Sequence, residues 1–126
     1  MGHRVAKRPS EIQIDYVEFQ VTDIGEAKRF YGELFGWTFE DYGDGYTSFN
    51  HGGGSGGFAK VDSVSRGGPL IVLYAEDLEA TQRDIIRAGG SIVREIFAFP
   101  GGRRFHFTDP SGNELGVWSD HDPAVA

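Results

Sequence analysis

Three residues in this chain are suited to exchange a proton with a bound molecule: Glu18, His106 and Glu114. A carboxylate or imidazole does this work when burial or a neighbour tunes its pKa toward the working pH. His106 sits between Phe105 and Phe107 in RRFHFTDP, residues 103–110. If both phenylalanines face a core, strand alternation turns His106 to the opposite face. The other histidines are His3, His51 and His121, and no pair has the spacing of H-E-x-x-H. His51 opens HGGGSGG, residues 51–57, and reads as an exposed loop residue. That run lacks the GK[ST] of a P-loop and precedes no helix, so it reads as a hairpin connection rather than a phosphate cradle. FPGGRR, residues 99–104, places two cations after a turn. Arg103 and Arg104 are the candidates to hold a carboxylate, although Arg103 fits better as a solvated strand-edge residue. No nucleophile with an adjacent base is visible. The absence of cysteine excludes disulfides and thiolate metal ligands.

The elements that must position these residues follow from periodicity. IDYVEFQV, residues 14–21, alternates, with Val17, Phe19 and Val21 on one face of a half-buried strand. Asp23 and Glu26 form a D-x-x-E capping box, and Ala27, Phe30, Tyr31, Leu34 and Phe35 follow at helical spacing until Gly36 stops the helix. Residues 37–40, 46–50 and 57–61 read as three further strands. A shift of 54 residues repeats the pattern: a strand at 70–75, an Asp77 cap, Ile85 and Ala88 on a helix, a Gly90 stop, then strands at 92–95, 103–108 and 114–119. An internal period of this kind is an architectural signature. The fold class is α+β: two tandem βαβββ modules, residues 12–62 and 68–120, forming a curved mixed sheet around a cleft. Residues 1–11 and 121–126 read as tails.

Composition bounds the partners. The chain has 126 residues, 39% hydrophobic and 13% aromatic, enough for one domain with its own core. Formal net charge is −7. Setting aside Arg4, Lys7 and Arg8 in the N-terminal tail leaves 9 basic residues against 19 acidic ones. Such a body repels nucleic acid phosphates. No apolar run reaches membrane-spanning length and no signal peptide is visible, so a cytoplasmic protein is expected.

The runs VTDIGEAKRFYGELFGW (21–37), AEDLEATQRDIIRAGG (75–90) and FTDPSGNELGVW (107–118) resemble the vicinal oxygen chelate superfamily, which includes glyoxalase I, bleomycin-resistance proteins and extradiol dioxygenases. With the strands between them they cover residues 12–120. "FGW", "GGF" and "DPSGNELGVW" are similar to the glyoxalase-like bacterial branch. The resemblance implies four metal-ligand positions, which fall here on Tyr16, Ala59, Leu70 and Gly116. Leucine, alanine and glycine offer no side-chain donor, and neutral tyrosine is a poor one. No metal and no cofactor is therefore expected. The resemblance also implies a homodimer, in which modules of two subunits often share a cleft; a two-fold dimer is in any case the commonest assembly.

Alternation assigns the cleft face. From the first module it takes Tyr16, Glu18, Gln20, Tyr46 and Ser48. From the second it takes Leu70, Val72, Tyr74, Arg104, His106, Glu114, Gly116 and Trp118. Aromatic walls with a few polar groups suit a small organic molecule. Glu18 and Glu114, opposed only by Arg104, make an aromatic or cationic ligand the expectation. Two functions stand: a metal-free protein that binds such a molecule, or a lyase, isomerase or dioxygenase of the same superfamily, with or without a metal, whose catalytic candidates are Glu18, His106 and Glu114.

Overall fold

The computed structural model of the chain describes residues 14–65 and 67–121. The element order is β1 (Val17–Val21), α1 (Ile24–Phe35), β2 (Thr38–Asp41), β3 (Tyr46–Asn50), β4 (Ser55–Lys60), β5 (Ile71–Tyr74), α2 (Leu78–Arg87), β6 (Ser91–Phe99), β7 (Gly102–Thr108) and β8 (Glu114–Ser119). The strands form two four-stranded mixed sheets, ordered β1-β4-β3-β2 and β5-β8-β7-β6. This is the βαβββ repeat read from the sequence, with one four-stranded sheet in each module. In each, the first strand runs parallel to the last and the other pairs are antiparallel. The proposed tails, 1–11 and most of 121–126, lie outside the described residues. No helix among the described residues is long and apolar enough to cross a membrane.

Both helices start as their sequences dictate. Asp23 accepts a hydrogen bond from the Glu26 backbone N–H at 2.9 Å, and Asp77 does the same for Ala80 at 3.0 Å. α1 ends on Gly36 in the left-handed region, with φ 73°. The end of α2 departs from the sequence reading. Gly89, not Gly90, takes positive φ, at 106°. Gly89 N–H bonds Ile86 O and Gly90 N–H bonds Ile85 O, which is a Schellman motif. Gly90 answers to packing instead: a Cβ there would lie 2.6 Å from Ile85 and 3.2 Å from Phe30.

The inward faces of both sheets meet the helices in one core. Phe19, Phe49 and Phe58 from the first sheet join Phe105, Phe107, Leu115 and Val117 from the second, with Phe30, Tyr31, Leu78 and Ile85 from the helices. Fully burying such side chains contributes about 1.5–3 kcal/mol each before chain entropy is set against it. α1 bridges the modules, since Phe30 lies 6.2 Å from Phe107, ring centre to ring centre.

The D-P-S-G-N turn, legible in the sequence only as a turn, clasps one module to the other. The Asp109 carboxylate, 4% exposed, accepts from Tyr31 Oη (2.9 Å), Ser111 N (3.0 Å), Asn113 N (2.8 Å) and Asn113 Nδ2 (3.0 Å). Ser111 Oγ accepts the Thr22 N–H at 2.9 Å, and Asn113 Nδ2 also donates to Gln20 O at 2.6 Å. The buried carboxylate thus organises a loop that binds the end of β1.

Candidate functional site

With the inward faces merged in the core, the opposite faces of both sheets look outward. They carry the residues expected at the cleft, as two sets. Among the described residues no side-chain hydrogen bond or ring contact joins one set to the other. Tyr16 and Leu70 are each 37% exposed, Val72 41% and Tyr74 49%.

On the first sheet, Tyr16 Oη and Tyr46 Oη are 2.5 Å apart. Burial first, then Tyr16 and Glu18, push the Tyr46 phenol well above its ordinary value. The pair lies over Gly57, where a Cβ would stand 1.9 Å from Tyr46 Oη. Gln20 Oε1 accepts the Ser65 N–H at 2.8 Å, so this side chain ties down the segment between the modules. Ser48 Oγ donates to Glu40 O at 3.4 Å. Glu18 is exposed.

On the second sheet the register sets rows. Val72, Gly116, His106 and Arg94 lie side by side, and next to them Tyr74, Trp118, Arg104 and Phe97. His106, 7% exposed, places Nδ1 2.9 Å from Glu114 Oε2. A carboxylate there favours the tautomer with its proton on Nδ1 and leaves Nε2 as the reactive nitrogen. Nε2 is shielded from solvent and has no hydrogen-bond partner among the described residues, and the same holds for Arg104 Nε. Trp118 packs against Tyr74 at 5.2 Å and Phe99 at 6.4 Å. Tyr74 Oη donates to Asp120 Oδ1 at 2.7 Å; this bond is the main cause that raises the Tyr74 pKa and lowers that of Asp120.

Arg94 and Phe97 are the functional candidates that sequence reasoning missed. Strict alternation from Ile92, which pairs with inward Phe107, turns Arg94 inward. Register shifts in β6 between Ile92 and Arg94, and between Arg94 and Phe97, place these residues opposite His106 and Arg104. Bulges re-aim side chains in this way. The Arg94 guanidinium lies 3.7 Å from the Phe97 ring centre, and that of Arg104 lies 5.2 Å from it. The charge tally behind the cationic ligand changes accordingly: two guanidiniums share this face, and Glu114 is engaged by His106. Arg103 turns the other way and pairs with Glu79 of α2 at 2.9 Å.

The strand register also moves the first-module counterpart of Gly116 away from Ala59. Gly116 pairs with Val72, and Glu18, 54 residues before Val72, pairs with Gly57. The mate of Gly116 is Gly57, not Ala59. The implied metal positions therefore hold a tyrosine bonded to another tyrosine, a leucine and two glycines. That donor set does not fit a divalent metal.

Two cavities reach the edges of these faces, one touching Val72 and Tyr74 and the other Tyr16 and Ser48. One, of about 600 Å³, sits between the end of α1 and the β5–α2 segment, lined by residues such as Leu34, Trp37, Ile71, Leu73 and Asp84, with His51 close to Trp37. The other, of about 750 Å³, adjoins Tyr16, Tyr42 and Ser48.

The chain is similar to known proteins throughout this fold. It is 28% identical over 116 residues to CFP32 of Mycobacterium tuberculosis, a protein described as a glyoxylase, covering 82% of this chain and 44% of that one. The chain thus spans less than half the length of that relative. A glyoxalase/bleomycin resistance protein/dioxygenase family enzyme from Burkholderia phytofirmans superposes with a TM-score of 0.74 at 15% identity, over 85% of this chain and 98% of that one. A lactoylglutathione lyase from Agrobacterium tumefaciens superposes with a TM-score of 0.69 at 17% identity, over 89% and 96%. The family profile matches residues 13–117, and the chain belongs to the Glyoxalase/Bleomycin resistance protein/Dioxygenase superfamily.

Proposed function

We propose that this protein binds a small organic molecule with a planar aromatic part on the outward face of its second sheet, without a metal. The observation that carries this reading is the group of Trp118, Tyr74 and Phe99 beside nitrogens of Arg104 and His106 that are shielded and, among the described residues, without partners. Flat apolar walls supply contact area, and polar atoms without partners are the places where a ligand lowers the cost of burial. A cytoplasmic location belongs with this proposal. So does a homodimer: a second chain would cover the half-exposed outward faces and close the cleft. Light scattering at micromolar concentration is expected to give the mass of two chains, and the mass of one would remove the shared cleft.

Binding is checked on the indole N–H resonances of Trp37 and Trp118. An aromatic ligand on the second sheet is expected to shift the Trp118 signal saturably and leave Trp37, stacked between Tyr31 and Phe49, in place. Excess Zn²⁺ or Ni²⁺ is expected to change neither binding nor melting temperature. A metal-dependent ligand would refute the metal-free reading.

The His106–Glu114 pair favours a second reading, proton transfer on the bound molecule. An imidazole oriented by a carboxylate accepts a proton from a C–H next to a carbonyl, leaving an enolate, and delivers it to a neighbouring carbon or to the opposite face, which is isomerisation. Deuterium uptake from D₂O by a bound ketone, abolished in His106→Gln, is the expected result. Binding without exchange would leave a binding protein.

A further inference from the structure

The ligand face just described has a charge that the composition of the chain does not suggest. In a protein of net charge −7, Arg94 and Arg104 flank one phenylalanine ring. Among the described residues neither has a carboxylate within ion-pair distance. Arg103, one residue away, has its acidic partner, and so do Lys28 and Arg87. Arg104 Nε and His106 Nε2 on the same face are shielded from water and without partners among the described residues. Leaving such groups unpaired carries a desolvation penalty; an acceptor would relieve it at Arg104 Nε–H, and at His106 Nε2 when the ring carries its second proton.

We infer that Arg94, Arg104 and His106 form an anion site, and that the molecule bound there is an aromatic carboxylate. The inference rests on the proposed aromatic ligand and adds its charged group. A guanidinium fork matches the two oxygens of a carboxylate, and His106, its tautomer set by Glu114, offers Nε2 as a further contact when protonated. Phe97 holds both guanidiniums by its face, which limits the side-chain freedom lost on binding. Trp118 and Phe99 lie next to the site and take the ring of the ligand. The two register shifts in β6 have a role on this view: they deliver Arg94 and Phe97 to the ligand face.

Three probes of one shape separate the possibilities: 2-naphthoate, neutral 2-naphthamide and cationic 2-naphthamidine. They are titrated into the full chain by calorimetry, with the Trp118 indole resonance as the reporter of place. Naphthoate is expected to bind on the order of 10-fold or more tighter than naphthamide, and naphthamidine weakest. Arg94→Met and Arg104→Met are each expected to reduce naphthoate to the affinity of the amide. Arg104→Lys, which keeps the charge and loses the fork, is expected to retain part of the advantage. Unchanged melting temperatures show that the variants fold. Equal binding of naphthoate and naphthamide, or tighter binding of naphthamidine, overturns the anion site and leaves the aromatic ligand standing. If none of the three moves the Trp118 resonance, the aromatic site itself falls and the anion site with it.

Discussion

Gly56→Ala is expected to cost roughly 3 kcal/mol or more, which is a large part of the stability of a domain of this size. Gly56 pairs with Val17 on β1 and Phe49 on β3. A Cβ there would stand 2.0 Å from Val17 O and 2.4 Å from Phe49 Cζ. Neither neighbour can yield cheaply. The Val17 carbonyl belongs to the parallel ladder that joins the first and last strands of the module, and Phe49, 3% exposed, packs against Phe19, Trp37 and Phe58. Overpacking a filled core commonly costs 1–3 kcal/mol, and displacing a ladder carbonyl adds to that. Gly116→Ala is the contrasting variant. Its Cβ would meet His106 Cδ2 at 3.5 Å and Val72 at 3.6 Å, which are ordinary contacts, and its backbone does not need glycine. It is expected to change stability by less than about 1 kcal/mol and to gain part of what glycine loses in a strand. Urea unfolding of the two variants beside the parent checks both. Comparable losses at the two positions would mean that the close approach at Gly56 is not what stabilises the first sheet.

That contrast shows where a sequence can be read and where it cannot. Gly116 draws attention because it interrupts an apolar strand, yet its surroundings tolerate a methyl group. Gly56 looks like part of a flexible run, HGGGSGG, and is one of the tightest points of the fold. Caps, helix faces and strand alternation are local, and the sequence expresses them directly: Asp23 and Asp77 cap as expected, and Phe105 and Phe107 face the core with His106 turned away. β8 spans 114–119 as expected, because its turn and its alternation are both strong signals. β6 was legible only as residues 92–95; it runs from Ser91 to Phe99 and shifts register twice. A bulge leaves no mark in residue type, so Arg94 could not be placed on the ligand face from alternation. Long-range contacts are hidden for another reason. The role of Gly90 depends on Phe30, and the bonds of Asp109 and Asn113 reach 78 and 93 residues back along the chain.

Asp109→Ala is expected to cost about 3–5 kcal/mol, because it removes an acceptor that four donors share inside the protein. Tyr31 Oη, fully buried, would have no replacement among its neighbours in the described network, and the loop that carries Ser111 and Asn113 would lose its anchor. Melting would fall by roughly 10–20 °C for such a loss. Asp109→Asn separates the charge from the shape. It preserves much of the packing, but its amide cannot accept on both sides, so its cost should lie between the parent and the alanine variant. Tyr31 adds a pH signature. Burial, then the charge of Asp109 and their hydrogen bond, raise its pKa well above 10. The unfolded chain ionises near pH 10 and the native phenol only at higher pH. The stabilisation is therefore fully present below pH 10 and is lost as pH rises toward the native value. Tyr42, Tyr46 and Tyr74 are raised too and contribute with the same sign. Tyr31→Phe should lose about 1 kcal/mol at pH 7 through the missing hydrogen bond and show a shallower fall in stability above pH 10 than the parent. Denaturant unfolding at pH 7 and at a series of pH values above 9 measures both effects. A parent and variant that fall in parallel above pH 10 would show that the Tyr31 proton is not held by the clasp between the modules.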